Sequence, residues 1–280
     1  MTWDSYLKKA NILIDQGNLI GALTTLEEAR FKFHNKEIVD LLSQTRAKLR
    51  HMRDRQSYHD FYEKQQAKSG KYYKLGRRIE RAIKGVLGIR TRRVVEGCQN
   101  NPRYLRIEEE IRRGNYRNVL DVGCYEGSFS IGLGARNPEI HVSGIDIAST
   151  NIRIANELNR YQNVSFVQGF AEDIPAVFPS QSFDFVMLLE ILEHVISVED
   201  VLGAAFSVLK PGSRIAITVP ADEEHHDDHD EHDEHVRFFS DDLIKAHFGS
   251  MPNLVVERIK LPQRPGKPAE WSSYITFTKP

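Results

Sequence analysis

Apolar positions along this chain change their period partway. From residue 3 to about 66 they recur at helical spacing, as in YLKKANILIDQGNLIGALTTLEEARFKF, with a break at Gly17–Asn18. A shorter amphipathic stretch carries Ile79, Ala82, Ile83, Val86 and Leu87, and PRYLRIEEEIRR after Asn101 reads as a further helix. Beyond it, apolar runs of strand length alternate with helical stretches: RNVLDVG, EIHVSGIDI, NVSFVQG, SFDFVMLLE, SRIAITVP, LVVERIK and SYITFTK. Alternation of this kind predicts a parallel sheet wrapped by helices on both faces, and Val/Ile-rich strands suit burial on both sides. The expected division is a helical extension over 1–66, a basic linker or helix over 67–100 and an α/β domain over 101–280.

In the extension, Ala10, Leu13, Gly17, Ala22, Leu26 and Ala29 fall where a tetratricopeptide-like helix pair places small and large residues. The alanines let two antiparallel helices approach and the leucines fill between them. A single repeat cannot build a solenoid. The expectation is therefore an appendage packed on the main domain or on a second subunit, as in a homodimer or with a protein partner. The alternative is a peptide-binding repeat. From Arg46 to Arg93 basic residues outnumber acidic ones. That stretch reads as a solvated linker or as a surface for an anionic partner such as nucleic acid, a phosphorylated sugar or lipid headgroups.

Composition narrows this little. The 280 residues are 40% hydrophobic and 28% charged, with formal net charge −1, an ordinary globular balance. Two cysteines, Cys98 and Cys124, are too few for a disulfide framework and fit a reducing compartment. Asp4 interrupts any secretory signal, and no run approaches the ~20 apolar residues of a membrane span. These features predict a soluble, cytoplasmic protein.

The first strand of the α/β region ends in VLDVGCYEGSFS. Ligands of open α/β sheets bind at the carboxyl ends of the strands beside the switch point. A dinucleotide turn needs G-x-G-x-x-G so that backbone amides can approach a pyrophosphate. Here the spacing is Gly123-x-x-x-Gly127, Tyr125 stands at the middle glycine's place, and Asp121 precedes the loop. A carboxylate there repels a pyrophosphate and suits an ammonium. S-adenosylmethionine carries an ammonium, a sulfonium and no phosphate.

From about residue 100 onward the sequence resembles the class I S-adenosylmethionine-dependent methyltransferases. Asp121, Gly123, Cys124, Tyr125 and Gly127 lie in DVGCYEG, which looks like the family's D-x-G-x-G-x-G motif, with Tyr125 expected to narrow the pocket over the methionine moiety. GIDIA looks like the second-strand motif; the resemblance implies that Asp146 accepts from both ribose hydroxyls and that Ile147 packs on the adenine. QGFAEDIP looks like the third, with Asp173 accepting from the adenine amino group and the backbone of Ala171 or Glu172 beside the ring. FDFVMLLEILEHV and LKPGSRIAITVP look like the fourth and fifth strand regions. The implied fold is a Rossmann-like seven-stranded class I methyltransferase sheet with an N-terminal α-helical extension. The competing reading of Asp146 and Asp173 is that they cap helices.

Glu190, Glu193 and His194 have i, i+3, i+4 spacing, which puts all three on one side if the chain turns helical after Leu189. E-x-x-E-H occurs in quinone-biosynthesis O-methyltransferases and their small-molecule relatives. It occurs also in small-RNA 3′-end 2′-O-methyltransferases, where two Glu and two His hold a divalent metal; the matching residues here are Glu190, Glu193, His194 and His235. Three readings stay open: a metal site on those four residues; His194 as general base with Glu193 orienting it and Glu190 lining the pocket; or Glu193 and His194 serving a helix's first turn.

EEHHDDHDEHDEH, residues 223–235, falls after the fifth strand, where loops act as lids. It predicts a mobile acidic cover whose last residue, His235, lies near the site. The expected function is methyl transfer to oxygen or nitrogen of a small-molecule acceptor, such as a sugar or secondary metabolite, with His194 and Glu190 as the catalytic pair. The alternatives are a metal-dependent RNA 2′-O-methyltransferase and a catalytically weak cofactor-binding adaptor.

Overall fold

The computed structural model describes residues 2–33, 35–52, 95–98, 100–221, 235–237, 239–262 and 271–280. Three helices come first: α1 (Trp3–Asp15), α2 (Leu19–Phe33) and α3 (Lys36–Met52). The chain leaves α1 through Gly17 at φ 77°, a left-handed position that a side chain would strain. Asn18 Oδ1 then accepts the Gly21 amide at 2.8 Å and starts α2. Ala10, Ala22, Leu26 and Ala29 are buried between the helices and Leu13 is half-buried, so the small-and-large pattern does pack as a helical pair. The continuation of the third helix over 53–66, the basic connector helix and the acidic cover over 223–234 lie outside the described residues.

All the alternating apolar runs are strands: β1 (Asn118–Val122), β2 (His141–Asp146), β3 (Val164–Gln168), β4 (Phe183–Leu189), β5 (Leu209–Pro220), β6 (Val255–Lys260) and β7 (Trp271–Thr278). They form one sheet in the order β3-β2-β1-β4-β5-β7-β6. The sheet is not wholly parallel, as the alternation had suggested. β7 runs antiparallel to both β5 and β6. Only residues 261–270 join β6 to β7, and a parallel neighbour needs a crossover of a dozen or more residues.

The helices of this region are α4 (Pro102–Arg113), α5 (Ser128–Arg136), α6 (Ser149–Leu158), α7 (Ile174–Val177), α8 (Val198–Val208) and α9 (Asp241–Phe248). α4 begins where Asn101 accepts the Arg103 amide and Pro102 takes the first turn. Ser197 and Ser240 cap α8 and α9 in the same way, each followed by two acidic residues that complement the helix dipole. β4 shows the two-sided burial: Val186 and Leu188 pack with α8 and α9, whereas Phe185 and Met187 pack with α4, α5 and α6.

The helical extension docks on the main domain, one of its two expected arrangements. Phe31 of α2 meets His247 of α9 edge-on, with ring centroids 4.8 Å apart. Ile196 of the main domain packs into the extension's own apolar cluster. Arg30 and Arg46 reach Glu199, at the start of α8, at 2.7 and 2.9 Å.

Burial pushes the His247 imidazole down to about 4. The folded chain therefore holds it neutral, while the unfolded chain protonates it below about 6.5. Between those values the unfolded state binds the extra proton, so this contribution to stability is lost as pH falls from 6.5 towards 4, by up to about 3 kcal/mol. Urea unfolding of the wild type and of His247→Leu across that range checks this. The variant is expected to lose less stability on acidification, and equal losses would remove His247 as the cause.

Candidate active site

The carboxyl ends of β1, β2 and β3 are stitched together by backbone. The amides of Gly123 and Cys124 donate to the Ile145 carbonyl at 2.8 and 3.1 Å, and the Gly169 amide donates to the Asp146 carbonyl at 3.0 Å. The Tyr125 amide donates to Asp146 Oδ2 at 2.9 Å. To make this turn the chain passes through the left-handed region at Gly123, Tyr125 and Gly127, with φ of 74°, 52° and 73°. Glycine is required at two of these for space as well as for angle. A Cβ on Gly127 would lie 2.5 Å from Phe166 Cζ, and one on Gly123 would lie 2.8 Å from Ile191 Cδ1.

Tyr125 is 52% exposed, and it builds the turn through its backbone amide. Cys124 is buried and its thiol is held well above its ordinary range by burial. Asp121 is buried, and its Oδ2 accepts the Ser130 hydroxyl at 2.5 Å. Burial raises its pKa to about 6 against the pull of Ser130, and the nearby charge of Asp146 adds to the rise. Among the described residues, no basic side chain is a group acting on it. The turn is thus a place where negative charge has been buried without a cation, and a positively charged ligand group would relieve that cost.

Asp146 Oδ1 also accepts the Ala148 amide at 2.9 Å and the Asn151 side chain at 3.0 Å. The carboxylate therefore anchors the entry to α6 without capping it, since the N-cap is Ala148 and has no side-chain bond, and it stands at the strand-end position that a ribose-binding residue needs. Ile147 is half-buried beside it. Ala171, Glu172 and Asp173 form a single 3₁₀ turn after β3, all half-buried, and Asp173 makes no side-chain capping bond to α7.

After β4 the chain does not turn helical. Glu190 sits at φ 53°, its amide donating to the Thr218 carbonyl, and a turn closed by the His194 amide on the Ile191 carbonyl follows. A non-glycine residue in this region is strained, and such strain collects at functional sites. α8 begins only at Val198, so Glu193 and His194 do not serve its first turn. Contact of Ile191 with the Gly123 position seats this turn directly on the stitched strand ends.

The four residues grouped from the sequence separate into three and one. Glu193, His194 and His235 offer ligand atoms that all lie within 4.8 Å of one another. The imidazoles of His194 and His235 meet edge-on at 4.8 Å. The segment carrying His235 is tied back by the Val236 amide, which donates to the Glu193 carbonyl at 2.7 Å. Glu190 is engaged elsewhere: Arg103 of α4 pairs with it at 3.0 Å and the Ser272 hydroxyl donates to it at 3.0 Å. Glu193 is fully buried, and neither carboxylate oxygen has a hydrogen-bond partner among the described residues. Burial, and then the charge of Glu190, hold its carboxyl well above the usual range. One carboxylate and two imidazoles form a donor set suited to Mn²⁺, Fe²⁺ or Zn²⁺.

Sequence reasoning missed the groups that position these side chains: Ser130, Asn151, Arg103, Ser272, and above all Arg237 and Glu27. Arg237 is completely buried, its guanidinium spanning the carbonyls of Leu192, Val195 and Ile196 and the carboxylate of Glu27. The signal available was an arginine set among apolar residues in HVRFF and a glutamate within the packed face of α2.

A protein-family profile described as a methyltransferase domain matches residues 115–255, half of the chain, and the chain belongs to that family. A demethylmenaquinone methyltransferase of Listeria welshimeri is 35% identical over 103 residues, which are 35% of this chain and 43% of that protein. A ubiquinone biosynthesis O-methyltransferase of Pseudomonas fluorescens is 37% identical over 101 residues, 35% of this chain and 42% of that protein. The chain thus spans less than half the length of the curated relatives it matches. Among solved structures, the YcgJ protein of Bacillus subtilis is 20% identical with a TM-score of 0.49, covering 58% of this chain and 92% of that one. No helix among the described residues is long and apolar enough to cross a membrane.

A buried carboxyl without partners destabilises the fold whether it holds a charge or holds on to a proton. Glu193→Met is expected to melt higher than the wild type at pH 8 in chelator-treated protein, by about 2–4 °C for each kcal/mol recovered. A lower midpoint in calorimetry would mean that Glu193 supports the fold rather than a ligand.

Proposed function

We propose that this chain binds S-adenosylmethionine at the carboxyl ends of β1, β2 and β3 and transfers its methyl group to an oxygen or nitrogen of a small-molecule acceptor beside His194. The observation that carries this reading is the contact between two features: the stitched, negatively charged strand ends, and the turn holding Glu193 and His194. The ligand's sulfonium supplies a methyl group already activated for in-line displacement, so the protein's work is alignment, exclusion of water and removal of the acceptor's proton. In this reading Asp146 accepts from the ribose hydroxyls, the Ala171–Asp173 turn lies beside the adenine with Ile147 on its face, and the buried charge of Asp121 favours the ammonium end. His194 takes the acceptor proton, and Glu190, fixed by Arg103 and Ser272, lines the acceptor side. The name of the ubiquinone-biosynthesis O-methyltransferase relative supports an oxygen acceptor.

A second reading has one specific support. The clustered ligand atoms of Glu193, His194 and His235, with the unpartnered Glu193 oxygens, suit a divalent cation that would lower the pKa of an acceptor hydroxyl. Most of the basic stretch (53–93) and of the acidic tract (223–234), which spoke for and against an RNA acceptor, lies outside the described residues. The adaptor reading rests on Tyr125 alone, whose side chain is exposed.

Calorimetry with S-adenosylhomocysteine tests the cofactor. Its ammonium prefers ionised Asp121, which titrates at about 6, so affinity is expected to rise several-fold from pH 5 to pH 7. Uptake of NADH instead, or affinity that falls over this range, would contradict the reading. Transfer of labelled methyl to a panel of phenols and hydroquinones then tests the chemistry. His194→Ala is expected to lose about 100-fold or more in turnover, with cofactor affinity kept. Equal losses in both would make His194 a structural residue.

A further inference from the structure

The Glu193–His194–His235 cluster is assembled from two chain segments, the turn after β4 and the short stretch 235–237. Two groups hold them together through four hydrogen bonds. One is the Val236 amide on the Glu193 carbonyl at 2.7 Å. The other is the Arg237 guanidinium, which gathers the carbonyls of Leu192 (2.7 Å), Val195 and Ile196 (2.9 Å). Those carbonyls bracket Glu193 and His194, so the guanidinium sets the path of the turn on which both side chains stand. Arg237 itself is two residues from His235. One side chain therefore fixes both halves of the cluster.

A guanidinium with 0% exposure needs a counter-charge. Among the described residues, the main domain offers no hydrogen-bonded carboxylate as that counter-charge. The charge comes from Glu27 of α2, which is 1% exposed and takes Arg237 Nε and Nη2 side by side at 3.0 and 3.1 Å. Paired planar geometry of this kind orients as well as neutralises. Glu27 is held in turn by Arg46 of α3 at 3.0 Å, and Arg46 also bonds Glu199 at the start of α8. The extension is thereby locked to the main domain on either side of the Arg237 contact.

We propose that Glu27 is a positioning residue for methyl transfer: acting through Arg237, the helical extension holds Glu193, His194 and His235 in their working arrangement. The extension completes the acceptor side of the site, while the strand ends proposed to hold the cofactor stand without it. This rests on the acceptor-side role proposed for His194.

The test uses the full chain and follows the two imidazoles directly, so that it needs neither a known acceptor nor a bound ion. Their ring resonances are assigned by His194→Asn and His235→Asn. In Glu27→Gln both resonances are expected to shift or broaden together, while the S-adenosylhomocysteine Kd stays within about twofold. Turnover, or Mn²⁺ affinity where the wild type binds Mn²⁺, is expected to fall about 10- to 100-fold, the usual effect of removing a support behind a ligand. Glu27→Asp, which keeps the charge, is expected to recover part of the loss. Glu27→Gln added to Arg237→Met should cost nothing beyond Arg237→Met alone. Unmoved imidazole resonances in folded Glu27→Gln would overturn the proposal, as would full additivity of the two substitutions. Should Glu27→Gln fail to fold, hydrogen exchange of the wild type decides. The Val236 and His194 amides must then open together with the amides of α2. Protection that survives the opening of α2 would overturn the proposal. A wild type that takes up no S-adenosylhomocysteine would end the functional reading but leave the imidazole test standing.

Discussion

One carboxylate sets the geometry on which the rest of the site is built. Asp146, at the end of β2, takes the Tyr125 amide from the turn after β1 and the Ala148 amide from the entry to α6. Together with the Ile145 carbonyl, which takes two more amides of that turn, it forces the chain after β1 into a tight left-handed path. That path needs Gly123 and Gly127. It leaves the ends of three parallel strands level and open, beside the position between β1 and β4 where the strand order reverses. The buried charge of Asp121 beneath makes the place electronegative.

The second constraint is a buried cation. Arg237 has no access to water, and its hydrogen bonds must all be found within the protein. It finds them on the turn after β4 and on Glu27, and in doing so joins the helical extension to the most polar part of the main domain. Removing one partner from so buried a pair typically costs about 3–5 kcal/mol, a large share of the stability of a single domain. A contact this costly to lose argues that the extension is part of the enzyme's working body, and the edge-on packing of Phe31 on His247 supports the same interface.

Much of this was legible in the chain. The central strands could be read because a buried parallel strand is a short Val/Ile-rich run, and the turn after β1 could be read because Asp121, Gly123 and Gly127 are neighbours in sequence. The direction of β7 could not, since apolar runs carry no sign of polarity. The turn after β4 misled for a local reason: Glu190, Glu193 and His194 have helical spacing, but Glu190 takes a left-handed φ that spacing alone does not reveal. The pairs that hold the site together were out of reach for a different reason. Arg237 and Glu27 are 210 residues apart, and neither has a local partner that would mark it. Arg103 and Glu190 likewise meet only once the sheet is formed. Sequence showed the groups that carry chemistry better than the groups that aim them.

The central claim is that the stitched strand ends receive the nucleoside of S-adenosylmethionine with Asp146 as the ribose acceptor. A crystal structure of the chain with S-adenosylhomocysteine tests it most directly. The account predicts both ribose hydroxyls on the Asp146 carboxylate, the adenine beside Ala171–Asp173 and the sulfur facing His194. A nucleoside bound elsewhere, with Asp146 still serving only the protein's own donors, would contradict it.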